Sequence, residues 1–355
     1  MKTYYIQGHT SEGNVHLLNQ FWEHHDIWFL KGASMVLRHQ VLFKLEQHLN
    51  DKQMSAEKFV HPNDGKLIDG LLLTGKKLLI LADNGPLYPA SRYPGLATGT
   101  LDLNDCLNFA EVQQNASKIA ERIAEADGER HCAYACFRKG REIHEKKEAV
   151  YLSALDFNKA DETADEIILK WVVPGAEKEA EPLISRRFFG AATAFGPKNG
   201  IEEITREISH RIIIKGRSGS GKSTLMRKIG EAAEERRLSV KYFPCALSPN
   251  SLDMLLIPAL DLAVVDGTAP HIVHPSRRGD QVVDMFERCM NPAVETTNKS
   301  RLAALSKEYK EVMQRGTKHL QRVNELEYLL HECYASGIDA EKQRQLEQQL
   351  AELAS

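Results

Sequence analysis

Two stretches of this chain are copies of each other. Ile27-Trp28-Phe29-Leu30-Lys31-Gly32 matches Arg211-Ile212-Ile213-Ile214-Lys215-Gly216 at an offset of 184 positions (215 − 31). At the same offset Val41, Leu42 and Leu45 fall on Leu225, Met226 and Ile229, Phe59 falls on Phe243, and Leu67-Ile68-Asp69 falls on Ser251-Leu252-Asp253. Leu78–Leu81 falls on Leu262–Val265, Pro86 on Pro270 and Gly95 on Gly279. One position closer, Tyr151–Asp156 falls on Tyr334–Asp339. A long-period repeat of this kind means that one unit is built twice. The Pro/Gly/charge stretch Pro174–Glu181 reads as the join, which predicts domains at 1–175 and 182–355.

Each unit opens with a short strand and a Thr/Gly loop, Tyr4–Ile6 with Thr10 and Gly13, and Phe188-Phe189 with Thr193 and Gly196. An apolar strand, a helix, a strand at 239–243 in the second copy, a loop and the strand 262–266 follow. Strand–helix–strand alternation predicts an α/β fold with mostly parallel sheets and ligand at the carboxyl ends of the strands. The core of the second unit is expected at 182–290. Apolar or neutral positions then step by three and four from Leu302 through Val312, Gly316, Val323 and Leu326 to Cys333. After the turn Ser336–Asp339 come Leu346, Leu350 and Leu353. That pattern predicts an antiparallel helical hairpin over 295–355, with a counterpart over roughly 107–172. The hairpins are expected to pack on each other or on the cores; the sharper alternative is an arm for a homodimer or protein partner.

The second copy carries Gly216-Arg217-Ser218-Gly219-Ser220-Gly221-Lys222-Ser223, the G-x-x-x-x-G-K-S pattern between a strand and a helix, followed by Thr224. The glycines lack a Cβ, so backbone N–H groups can crowd around phosphates, and the helix N-terminus adds partial positive charge. Lys222 is expected to offset β/γ-phosphate charge, and Ser223 to bind Mg²⁺. Asp266 ends an apolar strand, where such a carboxylate holds Mg²⁺ in P-loop proteins. Gly267 follows it rather than Glu, which argues against a motor or transporter ATPase. Asn298-Lys299 continues as Ser300-Arg301, so no guanine-reading N-K-x-D is present. ATP is the expected nucleotide.

The first copy has lost this chemistry. Gly219, Gly221, Lys222 and Ser223 correspond to Met35, Leu37, Arg38 and His39, and Asp266 to Ala82. Bulky side chains replace glycine and both expected Mg²⁺ ligands are missing, so no ordinary Mg-nucleotide site is expected there.

Beyond the loop the signals thin out. His271 is a candidate to orient an acceptor or a water, with a backbone-bonded loop histidine as the alternative. Arg277 and Arg278 are either phosphate clamps or exposed loop arginines. Asp253 is an acceptor-site base or a helix cap, and Cys245 is packing. His131, Cys132 and Cys136 sit one helical turn apart without a second cluster, so the six cysteines are expected as buried free thiols. A net charge of −3 gives no electrostatic case for nucleic acid. No apolar run has membrane-spanning length and the start lacks signal-peptide shape, so a cytoplasmic location is expected.

KGRSGSGKSTLMRKIGEA (215–232), SLDMLLIP (251–258) and VVDGTAPHIVHP (264–275) together resemble an uncharacterised family of bacterial tandem P-loop proteins, described as ATPases or nucleotide-kinase-like. The resemblance is good over 185–290 and weaker but colinear over 1–175. It implies two P-loop NTPase-like domains and ATP binding, with no established substrate. Members usually carry an intact loop in both halves, and this chain departs from that at 32–40. Mg-dependent ATP hydrolysis or transfer to a small-molecule acceptor is the expected activity. A slow nucleotide-dependent switch that docks a partner is the alternative.

Overall fold

A computed structural model describes residues 1–83, 95, 97–173 and 177–355. Pro86 and the first three residues of the join, 174–176, lie outside the described residues. The first unit contains β1 (Lys2–Tyr4), the hairpin β2 (Gln7–Thr10) and β3 (Gly13–His16), β4 (Asp26–Lys31), α1 (Met35–Asp51), β5 (Glu57–Val60), β6 (Ile68–Leu73), β7 (Leu78–Ala82) and β8 (Gly99–Asp102). Then come α2 (Phe109–Gln113), the long α3 (Ala116–Leu152) and α4 (Phe157–Ile167). The second unit repeats the series as β9 (Ile184–Arg186), β10 (Gly190–Thr193), β11 (Gly196–Asn199), α5 (Ile201–Ile204), β12 (His210–Lys215), α6 (Lys222–Glu235), β13 (Val240–Pro244), β14 (Leu252–Ile257), β15 (Leu262–Asp266) and β16 (Asp280–Asp284). It closes with α7 (Met285–Cys289), α8 (Ala293–Thr297), the long α9 (Lys299–Ala335) and α10 (Ala340–Ala354).

The two six-stranded sheets have matching orders, β1-β5-β6-β7-β4-β8 and β9-β13-β14-β15-β12-β16. Even the hairpin turns agree: Thr10 Oγ1 donates to Gly13 O and Thr193 Oγ1 to Gly196 O. The sheets are mostly parallel, as expected, but each carries one reversed strand and is therefore mixed. β6 and β14 run antiparallel to both neighbours, and the remaining pairs are parallel. The cause is local. β14 reaches β15 through the short turn Pro258–Leu260 with Asp261 left-handed at φ 49°, whereas a parallel return needs a crossover of a dozen residues or more. Lys77 does the same at φ 51° after Thr74–Lys76.

Alternation along the strands explains their full burial. Ile213 faces inward toward the other sheet, where Phe29, Phe59, Leu79 and Leu81 meet Phe243, Met254, Ala263 and Val265 in one shared cluster. Ile212 and Ile214 face outward to a helical layer. The result is helix–sheet–sheet–helix, each sheet covered on both faces.

The helical layers are exchanged between the units. Ala164, Ile167 and Val172, which follow the first sheet in sequence, pack against Leu225, Met226 and Ile229 of α6. Leu346, Leu350 and Ala354 of α10 pack against Leu42, Leu45 and Leu49 of α1. The packed lobes therefore do not coincide with residues 1–175 and 182–355. The expected hairpins are replaced by one antiparallel pair formed by α3 and α9. Arg130 meets Glu327 at 2.7 Å within the overlap. Further along it, a Cβ on Gly140 would lie 2.6 Å from Met313 Sδ. Both corners after the long helices are pinned across units, Asp156 N–H to Cys289 O and Asp339 N–H to Cys106 O. Among the described residues no helix is long and apolar enough to cross a membrane.

Candidate functional site

Between β12 and α6 the chain makes a six-residue arch. Gly216, Gly219 and Gly221 take φ of 144°, 75° and 85°, values that disfavour any residue with a Cβ. Gly221 is the N-cap of α6, so the arch ends on the unpaired N–H groups of the first turn. Ser220 Oγ is buried and has no hydrogen-bond partner among the described residues, a cost that folding does not ordinarily tolerate. Thr224 is exposed on the first turn of the helix.

Beside the arch lies a cluster of acids and donors. Strand pairing sets Ile214 opposite Asp266, so the arch and the strand-end carboxylate are neighbours by register. Lys222 Nζ donates to Arg217 O at 2.9 Å and stands 3.6 Å from Asp266 Oδ2. Asp266 Oδ1 accepts from Thr268 N–H and Thr268 Oγ1. Ser223 Oγ accepts the Leu252 N–H at 2.8 Å, which ties the arch to β14 and to Asp253 next along it. Burial, then the nearby Asp266 charge, pushes the Asp253 carboxyl up to about 7, opposed by a hydrogen bond from Cys245. The Cys245 thiol is itself pushed far up by burial and stays protonated, which fits a packing and hydrogen-bonding residue rather than a nucleophile. His271 Nε2 lies 3.7 Å from Asp253 Oδ2 and its ring meets Phe189 edge-on at 4.9 Å. Burial lowers the imidazole pKa, so near neutrality the His271–Asp253 contact is polar, not an ion pair. Lys215 Nζ holds the segment after Asp266 by donating to Gly267 O and Val273 O.

The roof over this cluster is shared: α3 of the first unit covers it together with α8 and α9 of the second. A Cβ on Gly219 would sit 2.7 Å from Glu148 O in α3. His144 Nε2 meets Ser218 Oγ at 2.9 Å. Arg217 Nε donates to Glu295 Oε1 at 2.6 Å, a carboxylate that also accepts from Tyr151 OH. Burial, then the nearby Cys245 and Asp253, pushes the Tyr309 phenol of α9 up to about 12. His144 and Glu148 carried no sequence signal, because their approach follows from the packing of α3 over the second unit and not from any local pattern.

Other expectations fare differently. Arg277 donates to Glu202 and to Thr205 O, inside a network centred on the buried Arg211, which also binds Asp280 through both guanidinium edges. That network sits at the start of β12, the end opposite the arch, so Arg277 is structural there; Arg278 is exposed. Cys132 is exposed rather than buried, and among the described residues no group of three or more His, Cys, Asp or Glu side chains forms a metal cluster. In the first unit the arch is missing. α1 starts at Met35 after only Gly32, Ala33 and Ser34, and Asn104 Oδ1 accepts the Ala33 N–H at 3.0 Å. No family model, curated protein or solved structure matches the chain.

Proposed function

We propose that the second unit binds ATP at a P-loop formed by residues 216–223 and transfers its γ-phosphoryl group to a small hydroxyl-bearing acceptor. The observation that carries this reading is the arch itself: three glycines at positive φ, an orphaned Ser220 hydroxyl, and a helix N-terminus beside Lys222 and Asp266. Backbone N–H groups of 216–221 would hold the phosphate oxygens. Lys222 would shift from Arg217 O and Asp266 to the β/γ-phosphates. Ser223 and Asp266 suit Mg²⁺, which keeps several waters and takes few protein ligands. The metal would supply charge neutralisation on the phosphates.

Asp253 is the natural base. With a carboxyl pushed up to about 7, it can take the acceptor's hydroxyl proton as the oxygen attacks the γ-phosphorus and the bond to the β-phosphate oxygen breaks, leaving ADP. His271, beside it, would orient the acceptor. A second reading has its own support: Glu148 and His144 of α3 lie directly on the loop, so nucleotide entry must be felt by the long helix pair. In that reading the protein is a slow nucleotide-dependent switch.

The test is calorimetric titration of the full chain with Mg-ATP, alongside Lys222→Ala. The expected result is saturable binding weakened by about a hundredfold or more in the variant, of the order of losing a charge-assisted contact set. Unchanged binding in Lys222→Ala would overturn the assignment. Radiolabel from γ-phosphate appearing in an added small molecule indicates transfer; binding with a shifted oligomeric state and negligible turnover indicates the switch.

A further inference from the structure

The first unit lacks the arch but is not a filled-in relic. Below its shortened loop is an inner chamber of about 40 Å³, lined by His9, Arg38, His61, Asn63, Arg130 and Glu327. It shares Arg38, Arg130 and Glu327 with an open cleft of about 460 Å³ at the carboxyl ends of β4 and β8, where Lys31, Asp102, Asn104 and Arg122 stand at the walls. Ligands in α/β sheets enter at this end of the strands.

Two side chains facing the chamber are sealed from solvent yet unfinished. Asn63 is 1% exposed, and neither its Oδ1 nor its Nδ2 has a hydrogen-bond partner among the described residues. His9 is 1% exposed, and its Nε2 is likewise without a partner there. Buried polar atoms are rarely left so without water, ion or ligand to satisfy them. The asparagine cannot be a folding accident of a mobile loop: its backbone C=O accepts the Ala194 N–H of the second unit, and its N–H donates to His61 Nδ1.

The lining is rich in donors. His61 Nδ1 accepts the Asn63 N–H, so in the neutral ring, favoured by burial, Nε2 carries the proton. His9 Nδ1 meets Tyr134 OH at 3.0 Å. Burial pushes that phenol up to about 12, so it keeps its proton and can donate it, leaving His9 Nε2–H to face the chamber. Burial, with His61 and Arg130, pushes His9 down to about 3, so it enters as a neutral donor. Arg38, which donates to Gly32 O at 2.8 Å, and Arg130 bring two guanidinium groups. The one carboxylate in the lining, Glu327, accepts from Arg130 at 2.7 Å. Two guanidinium groups, Arg130 also held by Asp127 at 2.6 Å, and three further N–H donors line, together with the Glu327 carboxylate, a space that would hold the head of an oxyanion.

We propose that the first unit binds a small phosphate- or carboxylate-bearing molecule, its oxyanion head in the His9–His61–Asn63–Arg38–Arg130 chamber and its body in the adjoining cleft. This goes beyond the ATP reading of the second unit and does not rest on it. The unit has changed ligand instead of losing one.

The test uses the full chain carrying Lys222→Ala, so that phosphate binding at the 216–223 loop is weakened, and the loss of the effect on adding Asn63→Leu assigns it to the chamber. Inorganic phosphate and acetate are titrated separately at constant ionic strength set with chloride, and thermal unfolding is read. The expected result is a saturable rise in Tm with at least one of the two, roughly 4 °C at a hundredfold excess over Kd; which one acts tells phosphate from carboxylate. Adding Asn63→Leu, which fills the chamber and removes the unsatisfied amide, should abolish the rise. No saturable rise with either anion, or an equal rise with chloride, overturns the proposal, because the chamber then holds water only. Should Asn63→Leu fail to fold, Glu327→Gln reads the same site: loss of the one lining carboxylate should tighten anion binding about tenfold, and unchanged affinity overturns the proposal.

Discussion

At Asp253, stability and chemistry pull in opposite directions. Its carboxyl ordinarily titrates near 3.8 and is pushed up to about 7 by burial and by Asp266. Between those values the folded protein holds a proton that the unfolded chain has released, so stability falls as pH rises from about 4 to 7 and is flat above. Asp253→Asn removes this titration. The variant should match the parent near pH 4 and exceed it at pH 8 by about 2–4 kcal/mol in denaturant unfolding, while phosphoryl transfer drops by a hundredfold or more. A stability difference that is the same at pH 5 and pH 8 would mean that the carboxyl is ionised throughout and is not the base. The residue was legible as a candidate only because it sits between two strands of the nucleotide-binding unit. What makes it basic enough, burial and the charge of Asp266 on the neighbouring strand, comes from tertiary packing and has no trace in local sequence.

The element scale shows what an apolar pattern can and cannot say. Strands β12 and β15 were readable because uniform apolar runs end in functional residues. β14, Leu252–Ile257, is not readable in this way and lies where the pattern predicts a loop. All six of its residues are buried, so it has no alternation, and Asp253 interrupts the apolar character. The direction of that strand, and hence the mixed sheet, rests on the Pro258–Leu260 turn rather than on the strand itself. The long helices were legible as helices with a narrow seam, but a seam does not name its partner. Here the seam is set by close approach: a Cβ on Gly316 would lie 2.6 Å from Phe137 Cε1 and 3.2 Å from Cys136 Cβ. Gly costs helix stability of roughly 1 kcal/mol relative to Ala, and at Gly316 the pairing of α3 with α9 demands it. Gly316→Leu should therefore destabilise by about 2–4 kcal/mol through overpacking, although leucine is the better helix former. The same change at exposed Gly128, where an added Cβ meets nothing within 4 Å, should be neutral or stabilising. Equal effects at the two glycines, read by thermal melts, would refute the close packing.

Across the whole molecule, the duplication predicts two units but not that they trade parts. Sequence similarity at an offset of 184 is blind to whether a helix covers its own sheet or its twin's, because both sheets present nearly the same face. The exchange is nonetheless what builds both sites. α3 delivers His144 and Glu148 to the loop of the second unit and Arg122 and Arg130 to the cleft of the first. Occupation of one site and the packing at the other thus share one 37-residue helix. The ion network that joins the sheets crosses units as well: Glu57 of β5 accepts from Arg187 and from Lys241 of β13, all partly or fully buried. Two independent domains would separate if the chain between them were cut. These units should not. A protease site placed at exposed Glu177-Lys178 would cut the join, yet α10 would remain buried on the first sheet and α4 on the second. The apolar faces of both helices would have to be exposed for the fragments to part, at about 25 cal/mol for each Å² uncovered. The cut protein should run as one species on size exclusion at micromolar concentration, melt in a single transition, and release its fragments only under denaturant. Elution of two folded fragments at half the mass would show that each sheet keeps its own helices.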